Sequence, residues 1–351
     1  MPLTNYQKEK ISIEVIKTLV TRFDNFPENS SNNRNAPFHE AFLNAFSDKL
    51  NGKVSDTPFF ISLSSWLHGL NTTLGQTFFE NIAHHLCNGE KREYTSKRLG
   101  NLRITQSQRN FISQIIADLS NTTSTPNLTN ENDLLFANYN DAVINAMDFS
   151  ADVFIEDTDT IIAIELKSVK PNSGEMKGEK QKILEGKAAL YRQFPGKEIH
   201  FYMGFPFDPT VNPATDSVTS FDKTRFLGSI INMTKYFDTD ETLVASELWN
   251  MLSGQPNTME EILEIINVIS TTSFLDKFKL LTDNAKRLTT EYKNQLTEWN
   301  LFSELELIDN NNTIIQKIGR DRTFQRTYNR IAFDKKGNYN TDRFLTLKQL
   351  I

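Results

Sequence analysis

Apolar side chains at Ile11, Val15, Ile16, Leu19, Val20 and Phe23 recur at helical spacing behind Thr4 and Gln7, a capping pair, which predicts an amphipathic helix over residues 5–23. A polar loop at 27–37 and another helix over 38–50 follow. Thr73 with Gln76 reads as a second capping pair, opening a helix as far as residue 87 with Phe78, Phe79, Ile82 and Leu86 on its apolar face. Gln76, Glu80, His84 and Cys87 share the opposite face, which such a pattern ordinarily leaves to solvent. Thr105 with Gln108 caps a third helix through residue 119, and an Asn/Thr/Ser-rich linker occupies 120–132.

The pattern changes at 152–167. Two β-branched or apolar runs, 152–156 and 161–167, flank the short polar turn 157–160, which is the signature of a β-hairpin. A polar stretch at 171–180, a helix over 181–194 and a strand over 199–205 complete a hairpin, helix, strand order, the mark of an α/β or α+β layer. Beyond it the chain reads as mainly helical, best over 241–252, 258–270 and 289–299. The expected organisation is a helical arm at 1–55, a catalytic core at 56–235 and a mainly helical region with a basic tail at 236–351.

Composition narrows the class. With 38% hydrophobic and 23% charged residues the chain is an ordinary globular one, long enough for two domains. Its single cysteine, Cys87, precludes an intramolecular disulfide, and no paired Cys/His spacing suggests structural zinc. Residues 1–8 lack an apolar signal core and no apolar run reaches membrane-spanning length, so the expected compartment is the cytoplasm, without a membrane role. The net charge of −6 argues against indiscriminate coating of nucleic acid, but it is unevenly spread. Between Lys317 and Ile351 nine basic residues face three acidic ones, so that stretch carries +6 and the remainder −12. Interleaved with Phe324, Tyr328, Phe333, Tyr339 and Phe344, those cations suit either a surface that tracks phosphates or a solvated face backed by core aromatics.

Chemistry gathers in the hairpin. A turn centred between Thr158 and Asp159 sets a register that opposes Asp152 to Glu165 on one face, with Cβ atoms about 4.5–5.5 Å apart. Lys167 shares that face about 7 Å farther along the strand. Two carboxylates so placed can hold a hard divalent cation such as Mg²⁺, and a lysine beside them can orient water, stabilise charge or, with a depressed pKa, act as a base. Metal-assisted hydrolysis of a phosphodiester needs such a set. The same residues also suit a half-buried strand with a surface partner. Against that, Ile161 and Ala163 make the second face apolar as well, and a Glu and Lys ending a two-sided apolar strand are unusual unless they line a cleft. Asp148 replaces Asp152 if the register is otherwise. His84 and His85, adjacent in sequence, cannot share a helical face, which disfavours a metal role.

Asp152, twelve intervening residues and then Glu165-Leu166-Lys167 is similar to the PD-(D/E)xK signature of the restriction-endonuclease-like nucleases, with Ala151 where the signature has Pro. The blocks 164–184 (IELKSVKPNSGEMKGEKQKIL), 201–209 (FYMGFPFDP) and 65–80 (SWLHGLNTTLGQTFFE) resemble the TdeIII family of Type II restriction endonucleases, over residues 60 to 270 or so. The resemblance implies a mixed central sheet flanked by helices, with helical additions at both ends. It implies a Mg²⁺-dependent endonuclease that cuts double-stranded DNA at a short, palindromic, G/C-rich site, beside a methyltransferase that protects host DNA. A palindromic target in turn implies a homodimer. On this reading Asp152 and Glu165 hold the metal, Lys167 completes the set, and Glu80 is the candidate for the further acid that many such enzymes carry on the helix before the sheet. Lys170, Lys177, Lys180, Lys182 and Lys187 are candidates for contacts to flanking phosphates, each also readable as an ordinary solvated lysine. Rival readings are a repair or mobile-element nuclease of the same fold, a catalytically silent DNA-binding relative, and a scaffold without DNA affinity.

Overall fold

The computed structural model describes residues 2–28, 37–54, 56–167 and 175–351, which form two compact units, one built mainly from Phe79–Glu261 and the other from Thr4–Phe78 with Ile262–Ile351. The unit boundaries do not coincide with the breaks expected at 55 and 235, because both terminal helical regions contribute to one unit.

The first unit is organised by a five-stranded mixed sheet in the order β1 (Glu90–Tyr94), β4 (Phe149–Glu156), β5 (Thr160–Leu166), β6 (Glu198–Phe205), β7 (Thr242–Val244). A separate ribbon pairs β2 (Arg103–Thr105) with β3 (Val143–Asn145). The β1–β4 and β4–β5 pairs are antiparallel, and the β5–β6 and β6–β7 pairs are parallel. The β4–β5 hairpin turns at Thr158 and Asp159, where Asp157 N–H donates to Thr160 O at 3.0 Å. Its ladder pairs Val153 with Ile164 and Glu156 with Ile161, the register expected from the turn.

Both faces of the sheet are covered, which is why β5 is apolar on both sides. Helix Glu175–Gln193 covers one face, and a Cβ at Gly186 would meet the Phe201 ring at 2.6 Å, so glycine is what permits this approach. On the other face a Cβ at Gly204 would stand 2.9 Å from Ile164 and Leu166 and 3.3 Å from Leu248 of helix Ser246–Ser253. This is the mixed central sheet flanked by helices that characterises a PD-(D/E)xK core.

Several elements differ from the sequence pattern. Thr73 caps nothing: helix Thr57–Thr73 continues through the π-helical turn Leu74–Phe78 into helix Phe79–Cys87, and the Thr73 hydroxyl donates back to Gly69 O. The expected linker at 120–132 contains the start of helix Leu128–Leu135, capped by the Asn127 side chain. The helix expected from 241 begins only at Ser246, after β7. The helix expected over 38–50 is broken into Pro37–Leu43, Asn44–Phe46 and Ser47–Leu50. By contrast, the Thr4/Gln7 and Thr105/Gln108 capping boxes both form.

The second unit is helical. Its core holds Tyr292, Trp299, Phe274 and Phe333, together with a buried ion pair in which Arg343 Nη1 donates to Glu304 Oε2 at 2.5 Å. Glu9 on the first helix accepts from Ser303 N–H and Oγ–H at 2.7 and 2.6 Å, which ties the chain's beginning to its C-terminal helices. Among the described residues no helix is long and apolar enough to cross a membrane.

Candidate active site

One pair beyond Val153 and Ile164, the hairpin register sets Asp152 opposite Glu165, at the carboxyl end of β5. Asp152 is only 8% exposed, and its Oδ2 accepts from the Leu166 N–H at 2.9 Å, which fixes the carboxylate's orientation. Asp148, the alternative, is exposed and bonded to Asn101.

Burial raises the Glu165 pKa to about 6, with the negative charge of Asp152 adding to the effect and Lys167 opposing it. Lys167 follows β5 directly, its N–H bound to Gly204 O at 2.8 Å, and its ammonium pairs with Glu165 Oε1 at 3.1 Å and Glu179 Oε1 at 3.3 Å. Burial alone would lower the Lys167 pKa, but Glu165 and Glu179 outweigh it and the net direction is upward. Between these two carboxylates the group is held as a cation.

Helix Phe79–Cys87 supplies Glu80 and His84, four residues apart on one face. That face is turned to the sheet: His84 Nε2 donates to Asp152 O at 2.7 Å, and burial lowers the His84 pKa, so the imidazole is a neutral donor pinning β4. Glu80 is bound by Lys91 Nζ at 3.2 Å through both oxygens, and the same ammonium reaches Asp152 Oδ1 at 2.8 Å. Burial raises the Glu80 pKa and the charge of Asp152 adds to it, against Lys91. The Lys91 pKa is raised as well, the two carboxylates overcoming burial.

The structure thus gathers Asp152, Glu165, Lys167 and Glu80, and adds Lys91 and Glu179, which sequence patterning did not single out. Of the five lysines expected near phosphates, Lys170 lies outside the described residues. Lys177 is exposed, and Lys182 is exposed and paired with Glu179. Lys180 and Lys187 are corrected outright: both are fully buried, with Lys180 Nζ at 2.5 Å from Glu131 and Glu241, and Lys187 Nζ at 2.9 Å from Glu241. They neutralise interior carboxylates and offer nothing to a phosphate.

Among the described residues no group of three or more His, Cys, Asp or Glu is arranged to hold a metal ion. The donor chemistry nevertheless fits a hard cation. Asp152 and Glu165 present close carboxylates, the charge of Asp152 raising the Glu165 pKa, and a positive group, the Lys91 ammonium, already sits on Asp152 Oδ1.

The model of the HinfI family, described as a Type II restriction endonuclease, matches residues 3–270. The chain is also 43% identical over 371 aligned positions to the Type II restriction enzyme MjaII of Methanocaldococcus jannaschii, covering 100% of this chain and 98% of that one. The match spans the sheet, the hairpin and the helices on either side of it, so the chain belongs to the HinfI family of Type II restriction endonucleases.

Proposed function

We propose that this endonuclease cuts both strands of DNA at a short, palindromic, G/C-rich site by divalent-cation-assisted hydrolysis at Asp152, Glu165 and Lys167, with Mg²⁺ as the cation. The observation that carries the reading is the convergence, set by the hairpin register, of Asp152 and Glu165 with the Lys167 ammonium at the end of β5. Asp152 Oδ1 and the Glu165 carboxylate would hold the ion, and Glu80 is the further acid on the preceding helix. A bound Mg²⁺ supplies charge neutralisation at the phosphoryl oxygens and a more acidic water. Lys167, kept charged between Glu165 and Glu179, stabilises negative charge developing on the phosphate or orients the attacking water through its N–H donors.

A palindromic site calls for a two-fold homodimer, and a protecting methyltransferase and a cytoplasmic setting belong to the same proposal. A narrower kinship with the TdeIII branch rests on the motif blocks alone.

The test is digestion of unmethylated plasmid with Mg²⁺ and with EDTA, comparing the natural protein with Asp152→Ala, Glu165→Ala and Lys167→Ala. Discrete, Mg²⁺-dependent fragments are expected from the natural protein. Lys167→Ala should slow cutting by about 10²–10³-fold, the cost of losing one preorganised electrostatic donor, and the carboxylate variants should be inactive while still binding DNA. A fully active Glu165→Ala protein would remove the metal-ligand assignment.

A further inference from the structure

Lys91 has a position that the hydrolytic set does not explain. It lies on β1, the edge strand, where pairing with β4 is irregular: between the pairs Glu90 with Phe154 and Arg92 with Ala151, the single residue Lys91 faces two residues, Asp152 and Val153. The extra residue is on β4, and such a bulge re-aims the side chains of the strand that carries it, Asp152 among them. The approach is tight, because a Cβ at Gly89 would stand 3.0 Å from Phe154 O and 2.9 Å from Cys87 Sγ. Backbone irregularity and a close glycine together deliver one ammonium between two largely buried carboxylates, Glu80 and Asp152, whose side chains are 14% and 11% exposed.

The consequence lies in the oxygens. Asp152 Oδ2 is committed to the Leu166 N–H, so Oδ1 is the oxygen left for a cation, and Lys91 Nζ stands 2.8 Å from it. A Mg²⁺ ion binds a carboxylate oxygen at about 2.1 Å and demands near-octahedral space around itself. An ammonium at that distance takes up space that the ion's own ligands would need and repels the incoming charge. The lysine side chain, 39% exposed on an edge strand, has solvent to move into, whereas Asp152 is fixed by the backbone.

We propose that Lys91 is a place-holding counter-ion: its ammonium keeps Glu80 and Asp152 together in the absence of a divalent cation, is displaced when one seats on Asp152 Oδ1, and so weakens and gates metal loading. This rests on the reading above in one respect, that Asp152 holds the metal. It makes Lys91 a positioning residue, acting through the two carboxylates.

Mn²⁺, a hard divalent cation whose free concentration can be counted by electron paramagnetic resonance, is the probe, titrated without DNA. Lys91→Met keeps the length of the side chain and removes its charge. We expect Mn²⁺ affinity to tighten by about tenfold, equivalent to about 1.4 kcal/mol, while the EDTA-treated variant melts below the natural protein and gains more from Mn²⁺. Lys91→Arg should restore the weaker binding; a merely structural role for Lys91 predicts looser binding on its loss. Should Lys91→Met fail to fold, Lys91→Gln serves the same comparison. Unchanged or weaker Mn²⁺ binding by a folded, uncharged variant overturns the proposal. Asp152→Asn separates the two readings: if it binds Mn²⁺ as well as the natural protein, the metal assignment has failed and the place-holder role falls with it.

Discussion

Glu165 shows what a buried carboxylate beside a second one costs its own fold. Its pKa in the folded protein is about 6, against the ordinary 4.5, because it is buried beside Asp152. A raised carboxyl contributes stability that is fully present below pH 4.5 and lost as the pH rises through about 6, so at neutral pH the charged form is a burden. Glu165→Gln, which does not titrate, should therefore be more stable than the natural protein by up to about 2 kcal/mol at pH 8, taking about 1.4 kcal/mol per pH unit of displacement. The advantage should vanish below pH 4.5. Thermal melts in EDTA across that range measure it, and a Gln variant less stable at pH 8 would contradict the burial argument. At this scale much of the site was legible: the period of two along the hairpin places Asp152, Glu165 and Lys167 from sequence. Lys91 and Glu179 were not legible, since a charged residue on an edge strand and another on a lysine-rich helix look like solvated surface until the partner carboxylates and cations are in place. Glu80 was visible only as the polar side of a helix, a side that faces the sheet.

Among elements, those defined by strong local chemistry matched their patterns: the hairpin with its two-residue turn, and the helices behind Thr4 and Thr105. β1 escaped because Glu90-Lys-Arg-Glu-Tyr94 is the charged composition natural to an edge strand and reads as a loop. Thr73 misled because Thr-Leu-Gly-Gln has the capping-box spacing, while the chain there is already helical. The helix Glu175–Gln193 was legible as a helix but not in its burial: its lysines divide between solvent and an interior network of Lys180, Lys187, Glu131 and Glu241. That division is testable within one element. Lys187→Met leaves the buried Glu131 and Glu241 to share the single counter-charge of Lys180 and should cost up to about 3–5 kcal/mol, read as a lowered denaturation midpoint. Lys182→Met, at a side chain 47% exposed, should change stability by no more than about 0.5 kcal/mol. Equal costs for the two would mean that the network is not what holds the helix in place.

For the molecule as a whole, the charge asymmetry in the sequence had two readings, and the structure gives each half of the C-terminal segment its own. Phe324, Tyr328 and Phe344 pack against the cluster of Leu307, Ile314, Ile318 and Leu347, and Phe333 is fully buried, so the aromatics are core. Arg343 is buried on Glu304. Arg320, Arg322, Arg326 and Arg330 are exposed and make no ion pair among the described residues. Arg322 and Arg326 are four apart on helix Arg322–Tyr328, a spacing at which like charges repel. Exposed arginines without ion-pair partners on an otherwise acidic DNA-cutting enzyme are expected to meet phosphates, and meeting them releases counter-ions whatever the base sequence. Replacing these four arginines with glutamine, in an Asp152→Ala background that binds without cutting, should reduce the slope of log affinity against log salt by about 0.9 for each phosphate no longer neutralised, hence by about 3 to 4 if all four engage. Affinity should fall in parallel for target and non-target duplexes, leaving their ratio unchanged, because binding to phosphates positions the protein without reading bases. An unaltered slope would mean that the arginines serve only solubility, and a changed ratio would place at least one of them at a base edge.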